Sequence, residues 1–124
     1  MRVCVQGLWH LGSVTAGCLA SLGHDVTGFD FDNQTIANLQ KGTLPVSEPG
    51  LKALIEDGVT KGNLRFTENV RDAVSDVQVL WVTYDTPVDD DDQANVSFVL
   101  QEIRKTLPLL EDNTIILVSS QLPV

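Results

Sequence analysis

The chain has 124 residues, 43% of them hydrophobic and 20% charged, and a formal net charge of −9. That is one domain, large enough to bury roughly two-thirds of its unfolded surface. The acidic balance speaks against nucleic acid and anionic membrane surfaces as partners, and no apolar run approaches the about 20 residues of a membrane span.

The N-terminus enters a strand pattern at once, Val3-Cys4-Val5, without the basic and apolar pattern of a signal peptide. A tight loop follows, Gly7-Leu8-Trp9-His10-Leu11-Gly12. A helical pattern then carries apolar residues at Leu11, Val14, Cys18 and Leu22, which we expect to face inward. A second apolar run, Val26-Thr27-Gly28-Phe29, ends in Asp30. The order is strand, loop, helix, strand, acid. The unpaired N–H groups and dipole of such a helix face the loop and suit a phosphate anion. Gly7 permits the sharp exit from the strand, and Gly12 lets the helix pack closely. An acid at the end of the second strand accepts hydrogen bonds from a ribose diol. Its distance from the loop is close to the roughly 20 residues of the dinucleotide fingerprint. That fingerprint has a middle glycine, and here the position holds Trp9.

Helical and strand patterns keep alternating. Asp32 or Asn33 can cap a helix with Ile36 and Leu39 on one face, closed by Gly42. Residues 43–48 form a connection. Pro49 suits a first helical position, and Leu51, Leu54 and Ile55 make a stripe that ends at Gly58. Residues 64–67 read as a strand, and 68–75 as a short helix with Val70, Ala73 and Val74 inward. The continuous apolar run 77–83 fits a central strand covered on both faces. Residues 84–94 form a loop. Val96, Val99, Ile103 and Leu107 repeat at helical spacing, with Leu100 alongside, until Pro108 stops the helix. Residues 115–119 make a fifth strand. The fold class is therefore α/β: a doubly wound parallel sheet of Rossmann type, in three α/β/α layers, with strand order 3-2-1-4-5. Its switch point lies between the first and fourth strands, and 7–12, Asp30, 84–87 and 119–121 reach that crevice.

The remaining chemistry-bearing residues read as structural. Cys4 and Cys18 lack metal-ligand spacing and are expected as buried small hydrophobes in a reducing cytoplasm. His10 is a loop or interface residue without a nucleophile or acid partner in the pattern, and His24 sits in a solvated turn. Asp89 to Asp92 lack the spacing and central glycine of a calcium loop and read as a solvated acidic turn. Ser119 and Ser120 have no histidine nearby in the pattern. No metal site and no catalytic residue is expected.

These pieces, in order, resemble the N-terminal NAD-binding domain of the UDP-glucose/GDP-mannose dehydrogenases. The matching stretches are 7–12; Leu22-Gly23-His24-Asp25-Val26-Thr27-Gly28; Phe29-Asp30; Glu48-Pro49-Gly50-Leu51; Leu64-Arg65-Phe66-Thr67; Thr86-Pro87 followed by acids; and Ser120-Gln121-Leu122-Pro123. The resemblance implies NAD as cofactor and oxidation of the 6-hydroxymethyl of a nucleotide-linked sugar to a carboxylate. It places the cysteine nucleophile, its lysine partner and the sugar-nucleotide site beyond Val124, so the chain is expected to be the cofactor domain of a longer protein. The implied partners are a nucleotide-sugar substrate held by that missing part and, in the full-length protein, a second copy in a homodimer. The implied cofactor contacts are Gly7, Leu8, Trp9, His10, Leu11, Gly12, Asp30, Thr35, Tyr84, Asp85, Thr86, Ser120 and Gln121.

Departures from the family pattern fall on those same positions. Trp9 must leave the loop or fill part of the pyrophosphate seat. Thr35 stands where many members carry Lys or Arg. Asp85 sets a carboxylate near the pyrophosphate, and Gln121 replaces a threonine. Asp30 is retained, which favours NAD over NADP. Two alternatives follow: a degenerate domain kept for assembly or sensing, without productive NAD binding, and a methyltransferase of Rossmann type using S-adenosylmethionine.

Overall fold

The computed structural model describes residues 1–44, 49–84, 96–110 and 113–119, with the side chains of 96–99 left aside. Five strands form one parallel sheet: β1 (Arg2–Gln6), β2 (Asp25–Phe29), β3 (Leu64–Thr67), β4 (Val79–Val82) and β5 (Ile115–Val118). Their order is β3-β2-β1-β4-β5, as the alternation of patterns predicts. β1 lies at the centre, with Val3 beside both Val26 and Val79, and Val5 beside Gly28 and Trp81.

The period-two alternation of side chains sorts the core into two layers. Val3, Val5 and Val26 face α1 (His10–Ser21), α2 (Asn33–Gln40) and α3 (Leu51–Lys61). Cys4, Phe29, Leu80 and Val82 face α4 (Val70–Val74) and α5 (Val96–Thr106) on the other side. Each large apolar side chain so buried stabilises the fold by about 1.5–3 kcal/mol. Asp32 caps α2 by accepting from the N–H groups of Gln34 and Thr35, and Asn69 caps α4 in the same way.

The structure corrects several expectations. In α1 the buried residues are Gly12, Ser13, Ala16, Gly17 and Ala20, whereas Leu11 and Cys18 are exposed and Leu22 is 74% exposed. The helix is apolar nearly all round, and the small face wins because it lies so close to its neighbours. A Cβ on Gly17 would already stand 3.3 Å from Leu51 of α3. Cys4 is buried as expected, and burial pushes its thiol up to about 12; Cys18 is not buried. Pro49 precedes α3, whose N-cap is Gly50. The helix does not stop at Gly58: that residue is buried against Leu64 and Ala20, and the cap is Gly62. Val96 and Val99 carry no described side chain. Ile103 is inward in α5, but Leu100 and Leu107 are exposed, and the helix closes in a 3-10 turn, Leu107–Leu109, around Pro108. The 89–92 acidic stretch lies outside the described residues.

Candidate cofactor site

The carboxyl ends of β1, β2 and β4 converge on the N-terminus of α1. β1 ends at Gln6, and Gly7 turns the chain with φ 97°, a value that non-glycine residues rarely adopt. Its N–H donates to the Phe29 carbonyl of β2 at 2.9 Å. From the other side, Thr83 N–H donates to Gln6 O at 2.8 Å, and the Thr83 hydroxyl lies 2.9 Å from Gly7 O. The first turn of α1 then rests on that carbonyl: a Cβ on Gly12 would fall 1.8 Å from Gly7 O. A side chain at either glycine is excluded, Gly7 by its dihedral and by the Tyr84 ring 2.7 Å from where a Cβ would be, Gly12 by backbone.

The end of α1 has the character of an anion seat. Its N-cap is Trp9, which makes no side-chain cap hydrogen bond, and no acid stands in the first turn. α2 and α4, by contrast, both end in an Asx cap. The first N–H groups of a helix have no partner within it, and here no cap group from Trp9 takes their place. A diphosphate suits that end, because the helix dipole favours its charge.

Asp30 follows β2 and ties two loops together. Its Oδ2 accepts from Leu8 N–H at 2.9 Å, and its Oδ1 accepts from Asp32 N–H at 3.0 Å. The side chain therefore points into the site beside the glycine loop. Burial raises its pKa; the two backbone N–H groups pull the other way, and the charges of Asp32 and Glu102 add to the rise.

Trp9 is the N-cap of α1; its φ of −88° lies outside the left-handed region that favours glycine, and the residue is 54% exposed. It lines a cavity of about 240 Å³ together with Thr35 and Asn38 of α2 and with Leu44. Leu8 turns its side chain fully into the core, so that only its backbone belongs to the site. His10 and Leu11 form the first turn of α1, Leu11 with its side chain exposed. Tyr84 is buried beneath the loop, and its hydroxyl accepts from Gln6 Nε2 at 3.1 Å. Burial holds its phenol well above the usual range, so it stays neutral. The ring floors Gly7 rather than lining the crevice. Asp85, Thr86, Ser120 and Gln121 lie outside the described residues.

Sequence reasoning missed two supports. Gln6 is fully buried, and its amide nitrogen bridges Tyr84 Oη and the Glu102 carbonyl, each at 3.1 Å. Thr83, also fully buried, holds the Gly7 carbonyl. The available signal was a polar residue closing each of two otherwise apolar strands on the crevice side.

The whole chain, residues 1–124, matches the sequence profile described as the UDP-glucose/GDP-mannose dehydrogenase family, NAD binding domain. It is 32% identical over 124 residues to the UDP-glucose 6-dehydrogenase of Pseudomonas aeruginosa, covering 100% of this chain and 27% of that protein. Among solved structures it resembles the GDP-mannose dehydrogenase of Pseudomonas aeruginosa in a ternary complex, with a TM-score of 0.89 and 30% identity over 98% of this chain and 29% of that one. It also resembles the UDP-D-ManNAc dehydrogenase of Pyrococcus horikoshii, with a TM-score of 0.90 and 28% identity over 99% of this chain and 29% of that one. The chain thus spans less than a third of the length of these relatives.

Proposed function

This chain belongs to the UDP-glucose/GDP-mannose dehydrogenase family as its NAD-binding domain, and from that premise we propose that it holds NAD while the rest of a longer enzyme presents a nucleotide-linked sugar for oxidation at its primary alcohol. The observation that carries this reading is the joint placement of the α1 N-terminus, whose first turn holds no acid, and of Asp30, linked through Leu8 N–H to Oδ2 at 2.9 Å. The amides of the α1 terminus hold the diphosphate, on a loop whose shape Gly7 and Gly12 set. The Asp30 carboxylate accepts from the adenosine ribose hydroxyls and so favours NAD over NADP. When bound, NAD supplies a hydride acceptor. Gln6, Thr83 and Tyr84 keep the floor of the site rigid and exchange no proton with it. The nucleophile, the sugar site and the homodimer contacts belong to parts outside this domain, and the assembled enzyme works in the cytoplasm.

Calorimetric titration of the chain with NAD tests the proposal. Binding is expected in the micromolar-to-millimolar range, because one half of the cofactor stays uncovered. Asp30→Ala should weaken it about 10- to 100-fold, the worth of hydrogen bonds to a charged acceptor, with circular dichroism confirming the fold. No heat at several times about 1 mM NAD, or equal affinity in both proteins, rejects the assignment.

A further inference from the structure

Trp9 stands where the loop pattern calls for glycine, and it lines a cavity shared with α2. What it does there is legible from what surrounds it. The cavity between the indole, Thr35, Asn38 and Leu44 is about 240 Å³, below the about 300–1,000 Å³ that takes a whole ligand, so it suits one moiety of a larger molecule. Both of its walls hang from Asp30. One oxygen accepts from Leu8 N–H, immediately before Trp9. The other accepts from Asp32 N–H, and Asp32 in turn caps the helix that carries Thr35 and Asn38. A sugar whose hydroxyls meet Asp30 therefore delivers its neighbouring groups to this cavity. Among the described residues, the lining carries an aromatic face, an aliphatic side chain, a hydroxyl and an amide. Asn38 Oδ1 already accepts from Gln34 Nε2 at 3.0 Å, which leaves the amide nitrogen as the end with donor capacity. Those groups suit a planar heterocycle or its ribose.

We infer that Trp9 is a binding residue for the adenosine half of the cofactor: its indole face packs against that half over α2, and the indole strengthens NAD binding rather than obstructing it. This rests on the NAD reading above and adds to it the role of one side chain. The half-exposed indole is pre-positioned by the α1 N-terminus, and base–aromatic stacking is favourable for any heterocycle with an open π-face.

The test uses the 124-residue chain with NAD, ADP-ribose and nicotinamide mononucleotide. The sequence has two tryptophans, so two indole N–H resonances appear in a ¹⁵N-labelled sample, and the one absent in Trp9→Phe belongs to Trp9. That resonance should shift with NAD and with ADP-ribose but not with the mononucleotide. Trp9→Gly should weaken NAD and ADP-ribose about 5- to 150-fold, the scale of one aromatic–base contact. Trp9→Phe should keep affinity within about 5-fold of wild type, since a ring remains. Glycine is well tolerated at an N-cap, so the variant should fold, and its melting curve checks this. Unchanged or tighter binding by Trp9→Gly, or a Trp9 resonance that does not move at saturating NAD, overturns the inference. If Asp30→Ala weakens NAD while Trp9→Gly does not, this inference alone fails. If wild type binds no NAD, both readings fail together.

Discussion

Asp30 uses both carboxylate oxygens before any ligand arrives, one on Leu8 N–H and one on Asp32 N–H. Those two bonds give an acid at the end of β2 a structural reason to be there, apart from the ligand role proposed for it. They also make its titration readable. Burial raises its native pKa above the ordinary carboxylate value, so in the window from about 4 upward the native state binds more protons than the unfolded one. The contribution of this group to stability is therefore greatest below the unfolded pKa and declines as pH rises through the native pKa. Urea denaturation of wild type and Asp30→Asn across about pH 4 to 7 should show the wild-type advantage shrinking with rising pH; a growing advantage contradicts the raised pKa. NAD affinity should move the opposite way over the same window, because the ionised form accepts from both ribose hydroxyls. Asp30 was legible in the sequence by its position. Its latch onto Leu8 was not, since no local pattern states which N–H a carboxylate will meet across 22 residues.

At the scale of elements, α1 is where pattern reading went wrong and where the reason is plainest. Apolar spacing picked Leu11, Val14, Cys18 and Leu22; of these Val14 packs against the core, partly buried, while the fully buried residues of the helix are Gly12, Ser13, Ala16, Gly17 and Ala20. A helix whose first turn rests on the Gly7 carbonyl and which lies against α3 has room for small side chains only on that face. When both faces are apolar, periodicity cannot choose between them. Two substitutions separate the readings. Gly17→Leu should destabilise by about 1–3 kcal/mol through overpacking on Leu51 and Ile55. Leu22→Lys should stay within about 0.5 kcal/mol, as an exposed change does. Denaturant midpoints decide the matter, and a reversed order of costs would return the large residues to the inner face.

Across the whole molecule, the right-handed winding of parallel βα units brings β4 back beside β1 and opens the crevice between their ends. The same winding leaves β5 at the margin. Ile115 is 63% exposed, and Ile116, Leu117 and Val118 are exposed too, on both faces of the strand. An apolar edge strand of that kind invites pairing with another copy. The net charge of −9 opposes this, but at about 0.15 M salt the Debye length is only about 8 Å. Sedimentation velocity should therefore show concentration-dependent association at physiological salt, reduced in Ile115→Lys/Ile116→Lys; two proteins that sediment alike at all concentrations would dismiss the edge as its source.

The sequence by itself determined the alternation of strands and helices, the strand order, the glycine loop and its acid, because each is written in short-range spacing or in a rule of handedness. Only the tertiary structure decided which side of α1 is inside, that Trp9 shares a cavity with Thr35 and Asn38 of α2, and that Gln6, Thr83 and Tyr84 brace the loop from below. Those outcomes depend on how close separate segments come, and closeness between residues distant along the chain is settled by packing, not by pattern.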